Sequence, residues 1–203
     1  IIGSADLIES GLVKPEDMPR FIGHIKTDAA RLVSLVSDII RLSQLDENTE
    51  MNWENVDALS VAKEALEMVG PIAESRNISL TIKGEPAPLT SVHKLLYDII
   101  YNLCDNAVKY NKEGGFVKVN VKTAGDKVQI AVSDNGVGIA PADQSRVFER
   151  FYRVDKSHSR ESGGTGLGLS IVKHAVAYLK GSISLESTLG KGTTITVSFP
   201  TEK

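Results

Sequence analysis

Apolar residues recur with helical spacing from about Pro15 to Leu45. Met18, Ile22, Ile25, Ala29, Leu32, Val36 and Ile39 follow one another at intervals of 4-3-4-3-4-3, a heptad seam held for three repeats. Phe21, Leu35, Ile40 and Leu42 widen the seam beyond two positions per heptad. A stripe of that width suits a four-helix bundle better than an isolated two-stranded coil. Upstream, Ile1 to Glu9 has the pattern of the end of another helix, with Gly11 as its C-cap. Pro15 stands where a first-turn proline is tolerated. Two antiparallel helices of this kind expose more apolar surface than they can cover alone, so the pattern predicts a homodimeric bundle.

The pattern changes after Leu45. The polar stretch Asp46 to Asn55 reads as a linker, and a helix is predicted from Asp57, as N-cap, through Val69. Ile78, Leu80 and Ile82 alternate as a strand does. A longer helix runs from about His93 to Tyr110, apolar at Leu95, Leu96, Ile99, Ile100, Leu103 and Ala107. Strands at Phe116–Lys122 and Val128–Ser133 flank a Gly125-Asp126 turn, a strong hairpin signal. A third helix, Leu167 to Leu179, precedes strands at Ser182–Glu186 and Thr194–Phe199. Helices grouped against a mostly antiparallel sheet define an α+β fold, a two-layer α/β sandwich preceded by part of a helical hairpin. The expected division is 1–47 for the hairpin and 48–203 for the mixed domain.

Composition narrows the classes. The 203 residues can bury one or two cores, and 41% of them are hydrophobic, as in an ordinary globular protein. No run of ~18 apolar residues is present, so no membrane span is expected. Ile1 to Ser10 lacks the basic start and apolar core of a signal peptide. Opening on two isoleucines in mid-pattern, without Met, the chain reads as a fragment of something longer. A net charge of −3 gives no reason to expect nucleic acid, which favours a basic face. Cys104 stands alone, which excludes a disulfide framework or a cysteine metal site and fits a reducing cytoplasm.

Three segments carry candidate chemistry. In Asn102-Leu103-Cys104-Asp105-Asn106-Ala107-Val108-Lys109-Tyr110, positions 102, 106, 109 and 110 fall on one helix face. Two amide oxygens there can bind a hard cation such as Mg²⁺, Lys109 can meet phosphate, and Tyr110 can offer a ring or hydroxyl to a nucleoside. A solvated polar helix face would give the same pattern. In Asp134-Asn135-Gly136-Val137-Gly138-Ile139, directly after a strand, the glycines let backbone approach a ligand. Asp134 can accept from an exocyclic amine, which would select adenine over guanine. A plain Asp-Asn-Gly turn is the simpler alternative. In Gly163-Gly164-Thr165-Gly166-Leu167-Gly168-Leu169, glycines open a helix whose N-terminal N–H groups and dipole suit an anion. No strand directly precedes it, which argues against a Rossmann site. Leu189-Gly190-Lys191-Gly192-Thr193 reads as a hairpin loop.

In this order these motifs resemble the histidine kinases of two-component systems, particularly the membrane-bound phosphate-sensing (PhoR-like) type, in the GHKL/Bergerat ATPase superfamily. Asn102 to Asn111 is similar to the N box, Asp134 to Gly138 to the first glycine box and Phe148 to Asp155 to the F box. Gly164 to Leu169 is similar to the second glycine box, and Gly190 to Thr193 to a shorter third one. The resemblance covers essentially the whole chain. It implies a Bergerat-type pocket for ATP and Mg²⁺, with Asn106 and Asn102 on the metal. Lys109, Arg153 and Lys156 would meet phosphates, Tyr110 would lie near the nucleotide, and Asp134 would receive the adenine amine. Gly136, Gly138 and Ile139 would complete the base side, and Gly164, Thr165, Gly166, Leu167, Gly168 and Leu169 the phosphate side. Val154 to Gly164 would be a lid, and its polar run has nothing to anchor it to a core. The resemblance further implies a response-regulator partner, a homodimer through the helical hairpin, and a cytoplasmic region joined to a membrane only through upstream segments.

One departure bears on activity. Family members carry an acceptor histidine in a box reading roughly H-E-x-x-T-P, and Ile1 to Ile8 resembles the segment a few residues downstream of that box. The acceptor is therefore expected to be absent, and the chain to be unable to phosphorylate itself. Of the four histidines, His24 in His24-Ile25-Lys26-Thr27 echoes the box but lacks the acidic neighbour and the proline. His158 falls in the expected lid, and His93 and His174 show no partners in the sequence. Thr90 to His93 also departs from a Gly-Asp pair frequent in relatives, which reads as loop variation. Two rival classes remain. One is an ATP hydrolase of the same fold, as in gyrase, Hsp90 or MutL, which would have a glutamate base where this chain has Asn102. The other is a degenerate, non-enzymatic docking module, against which every nucleotide-contacting position is filled. A serine-directed kinase of the anti-sigma type would lack the heptad bundle.

Overall fold

In a computed structural model the chain is described at residues 1–47, 50–154 and 165–202. It forms two compact units, Ile1–Arg41 and Leu42–Lys203. The first holds α1 (Ile2–Glu9) and most of α2 (Met18–Asp46). Gly11, at φ 70°, closes α1. Its N–H donates to Ile8 O and that of Leu12 to Leu7 O, the paired bonds of a Schellman end. The first-turn proline of α2 is Pro19 rather than Pro15. Asp17 O already accepts from Arg20 and Phe21, so Pro15 opens the preceding turn. Along α2, Ile22, Leu32, Val33, Val36, Ile39 and Ile40 are exposed, at 47% to 68%.

The second unit orders β1 (Glu54–Asp57), α3 (Ala58–Ser75), β2 (Ser79–Gly84), β3 (Pro88–Ser91), α4 (His93–Lys109), β4 (Phe116–Ala124) and β5 (Lys127–Asp134). It continues with α5 (Pro141–Gln144), α6 (Gly168–Tyr178), β6 (Ser182–Thr188) and β7 (Gly192–Pro200). A five-stranded sheet runs β2-β4-β5-β7-β6, with only the β2–β4 pair parallel, and β1 pairs separately with β3. Alternate residues Val117, Val119 and Val121, Val128, Ile130 and Val132, and Ile195, Val197 and Phe199 face one core. α4 lies between α3 and α6 over that core. This is the two-layer α/β sandwich the pattern predicts.

Two further expectations change. Asp46 to Asn55 is not a bare linker: Asp46 closes α2, Leu45 is in the core, and Glu54 and Asn55 begin β1. Just before β1, Trp53 stacks on Tyr178 at 6.2 Å and Met51 N–H donates to the Tyr178 hydroxyl at 3.3 Å. α3 continues past Val69 through Pro71 to Ser75. Pro71 lacks the N–H that would bond the Glu67 carbonyl, and both residues lie on the exposed face of the helix. The expected N-cap holds: the Asp57 carboxylate accepts from Leu59, Ser60 and Ala87 N–H. Among the described residues no helix is long and apolar enough to cross a membrane.

Candidate nucleotide site

α4 is the backbone of the site. Its apolar stripe from Leu95 to Val108 is sunk in the core, which turns Asn102, Asp105, Asn106 and Lys109 to the opposite, half-buried face. Asn102 Nδ2 donates to Asp98 O at 2.7 Å, which fixes the amide and leaves Oδ1 for other partners. Gly168, at the start of α6, sits directly on this pair. A Cβ placed there would meet Asn102 Oδ1 at 2.9 Å and Asn106 Nδ2 at 3.6 Å. Two amides four residues apart therefore face the N-terminus of an 11-residue helix, where unpaired N–H groups and the dipole favour an anion.

The segments flanking residues 155–164 meet beside that terminus. Phe151 N–H donates to Gly166 O at 3.0 Å, with φ 62° at Phe151 and 74° at Gly166. A Cβ on Gly166 would touch the Phe151 backbone and Arg153 Cγ, so Arg153 runs alongside. Leu167 N–H donates to Thr165 Oγ1, and Leu167 and Ser170 are fully buried, fixing the first turn of α6. Leu169 packs against the core.

Asp134 ends β5, and the loop that follows it meets the end of α4 at Tyr110. Asp134 Oδ1 accepts from Gly136 N–H at 2.8 Å and Thr193 N–H at 3.3 Å. Both bonds use one oxygen, and Oδ2 is left to meet a donor. Burial pushes the Asp134 carboxyl above the usual carboxylate range, against the opposing pull of those two N–H groups. Val137 N–H donates to Tyr110 O, and Gly136 is so close that a Cβ would lie 2.3 Å from the same oxygen. Gly138 has φ 66°, and a Cβ there would fall 2.1 Å from Thr188 O, so no other residue fits without moving backbone. Ile139 N–H donates to Ser187 Oγ, and Gln144 Nε2 bonds the carbonyls of Ile139 and Ser187. The Gly190–Thr193 segment is the hairpin turn expected, but it also bears on the site: Gly190 N–H donates to Val137 O and Thr193 N–H to Asp134.

The remaining expected residues are placed unevenly. Lys109 Nζ is paired with Asp105 Oδ2 at 2.6 Å, so its charge is met within α4 and a phosphate would have to share it. Tyr110 is the C-cap of α4, with its side chain 44% exposed. Lys156, His158 and Gly164 lie outside the described residues, as does most of the expected lid. His93 and His174, partnerless in the sequence, both have partners: Glu64 Oε2 lies 3.4 Å from His93 Nε2, and His174 meets Ser170 O and Arg150. Sequence reasoning missed Arg76. Its guanidinium donates to the carbonyls of Val108, Lys109 and Asn111, closing the end of α4 with a positive charge on the negative pole of the helix dipole. No local signal marks it, since those partners are more than thirty residues away. Asn111 and Asn135 also prove structural, holding the turn into β4 through Phe116 O and Phe116 N–H.

The donor set suits a hard divalent cation. Among the described residues no group of three or more His, Cys, Asp or Glu could hold a metal. A cation at Asn102 and Asn106 would instead take amide oxygens, water and phosphate oxygens, as Mg²⁺ does. Half a turn of the Asn106 amide brings its oxygen to the Gly168 side without moving its carbon frame.

A two-layer sandwich with this pocket defines a class, the ATPases with an amide-bearing helix and glycine-rich loops around one cleft. The chain belongs to that family: residues 91–203 match the family model described as "Histidine kinase-, DNA gyrase B-, and HSP90-like ATPase". Among curated proteins it is 38% identical over 205 residues to the sensor-like histidine kinase SenX3 of Mycolicibacterium smegmatis, covering 98% of this chain and 53% of that protein. Full-length ShkA, crystallised with AMPPNP, superposes with a TM-score of 0.79 at 26% identity, over 91% of this chain and 39% of that one. ThkA in complex with the response regulator protein TrrA has a TM-score of 0.78 over 98% of this chain and 56% of that one; at 19% identity it supports the fold. The chain spans about half the length of the curated relatives it matches first.

Proposed function

We propose that this chain is the ATP-binding, phosphoryl-transferring region of a sensor histidine kinase. The observation that carries the reading is the seating of Gly168, at the N-terminus of α6, on Asn102 and Asn106, with the loop after Asp134 bonded to the end of α4 by Val137 N–H on Tyr110 O. Asp134 would take the adenine amine, and the first turn of α6 with Arg153 would take the phosphates. Asn106 and Asn102 would hold Mg²⁺, which would neutralise phosphate charge as the phosphoryl group leaves. Tyr110, Gly136, Gly138 and Ile139 would line the base and ribose side, and Lys109, Lys156, Gly164, Thr165, Gly166, Leu167 and Leu169 the phosphate side. An amide at position 102 cannot take a proton from water, so transfer to another nucleophile is favoured over hydrolysis.

Residues 1–47 would be part of a dimerisation and phosphotransfer hairpin, and 48–203 the catalytic region. The exposed seam of α2 would pair two copies and present a surface to a response-regulator receiver domain. The whole protein would be membrane-attached, with this region cytoplasmic. None of His24, His93 or His174 has the setting of an acceptor: His24 lies exposed on α2, its ring 6.4 Å from that of Phe21. We therefore assign the acceptor role to none of these three histidines. Incubated with labelled ATP and Mg²⁺, the chain should take up no acid-labile phosphate and hydrolyse ATP slowly. A longer chain including the acceptor helix should be labelled on that histidine, and Asn106→Ala should abolish the label. Labelling of the present chain that His24→Ala removes would overturn the assignment.

A further inference from the structure

Away from the pocket, three charged or polar side chains from distant parts of the sequence meet. Arg150 Nη2 lies 3.0 and 2.7 Å from the two carboxylate oxygens of Asp46, the last residue of α2, and 3.1 Å from His174 Nε2 in α6. His174 Nδ1 lies 2.7 Å from Ser170 O. A carbonyl can only accept, so Nδ1 carries the hydrogen; a guanidinium can only donate, so Nε2 is the acceptor. His174 Nε2 also lies 3.7 Å from Asp46 Oδ1, so the three side chains meet at one point.

The position of these contacts gives them a role. Arg150 directly precedes Phe151, whose left-handed backbone and bond to Gly166 O join the two flanks of residues 155–164. Ser170 stands in the first turn of α6, two residues beyond the Gly168 that rests on Asn102 and Asn106. The last turn of α2 is itself fastened to the same unit by buried Leu42 and Leu45.

We propose that Asp46, Arg150 and His174 form a clasp that positions the Phe151–Gly166 junction and the N-terminus of α6, so that nucleotide affinity depends on where the last turn of α2 sits. These are positioning residues; none is placed against the nucleotide. The proposal rests on the pocket being a Mg-ATP site. The Asp46, Arg150 and His174 side chains are 44%, 43% and 32% exposed, and surface pairs of this kind add little to global stability. Little is needed to bias a loop junction between two placements.

The test uses the 203-residue chain with Asp46→Ala, His174→Ala and the double variant, titrated calorimetrically with Mg-ATP. Each single change should weaken binding about twofold to fivefold, the range open to an exposed charge network. The double variant should be no weaker than the worse single one, because both act through Arg150. Asp46→Glu should keep near-parental affinity, and the differences should shrink toward none at about 1 M salt, where charge pairs are screened. Unchanged or tighter binding in the variants, with only a lower denaturation midpoint, would make the trio a structural contact and overturn the proposal. So would additive losses or losses indifferent to salt. If the parent chain itself binds no Mg-ATP, the pocket assignment fails and the clasp with it, an outcome separable from the others because the parent alone reveals it.

Discussion

In the proposed reading, nucleotide choice turns on Asp134. Its carboxylate is held by two backbone N–H groups on one oxygen while burial opposes its charge. An amide in its place keeps those two bonds and removes a charge the fold disfavours, but offers an NH₂ where an adenine amine must donate. Asp134→Asn should therefore weaken ATP binding by roughly 1–3 kcal/mol while leaving the denaturation midpoint at neutral pH equal or higher. The pH dependence has the same origin. The folded-state pKa is raised, and only the ionised form accepts from the amine, so ATP affinity should fall on acidification at a higher pH than an ordinary aspartate with a value of 3.8 would give. Calorimetry across that range checks both the sign and the residue, since the Asn variant should lose the pH step. At this scale the sequence was informative where chemistry is local. Asn102 and Asn106 share a helix face by spacing alone, and Asp134 leaves a strand beside two glycines. Arg76 and Thr193 were illegible because what matters is their meeting with α4 and Asp134 in space, which no nearby residue encodes.

Among the elements, the long periodic ones could be read and the short edge ones could not. α4 and the β4–β5 hairpin can be derived from the apolar spacing and the Gly125-Asp126 turn nearly to their observed ends. β1 and β3 have four residues each and one buried hydrophobic residue apiece in Val56 and Leu89, too little for an alternation to register. α3 shows how context overrides a breaker: Pro71 and Glu67, whose carbonyl it leaves without a helical donor, both lie on the exposed face. The N-cap of α3 carries more than its own helix, since Asp57 also binds Ala87 N–H beside β3. Burial alone would raise its pKa, but the bonds from Ser60, Ala87 and Leu59 outweigh burial and hold it below 3.8. Asp57→Ala should cost about 1–2 kcal/mol by urea denaturation near neutral pH. A depressed pKa gives stability that is present above the unfolded value and lost as pH falls through the folded one. The gap between variant and parent should therefore close below pH 3.8, and a gap constant into acid would mean the carboxylate charge is not what caps α3.

For the whole molecule, the exposed apolar seam of α2 is the largest feature left unexplained by one chain. Six residues from Ile22 to Ile40 expose about half of themselves or more, and the heptad spacing predicts that a second copy covers them. Sedimentation should show a dimer that Val36→Glu converts to a monomer; a parent chain that stays monomeric at high concentration would remove the pairing assigned to this seam. The docking of Met51 and Trp53 on Tyr178 is a second whole-molecule feature, hidden in the sequence because polar residues next to a helix end read as a free linker. Everything else in the account stands on the cleft between α4, the Asp134–Gly138 loop and α6. The most direct measurement is a calorimetric titration of the 203-residue chain with ATP and with GTP, each with Mg²⁺. The account predicts ATP binding in the micromolar-to-millimolar range, with GTP at least about tenfold weaker because guanine presents an oxygen to Asp134. Absence of heat with ATP, or equal affinity for the two nucleotides, would contradict it.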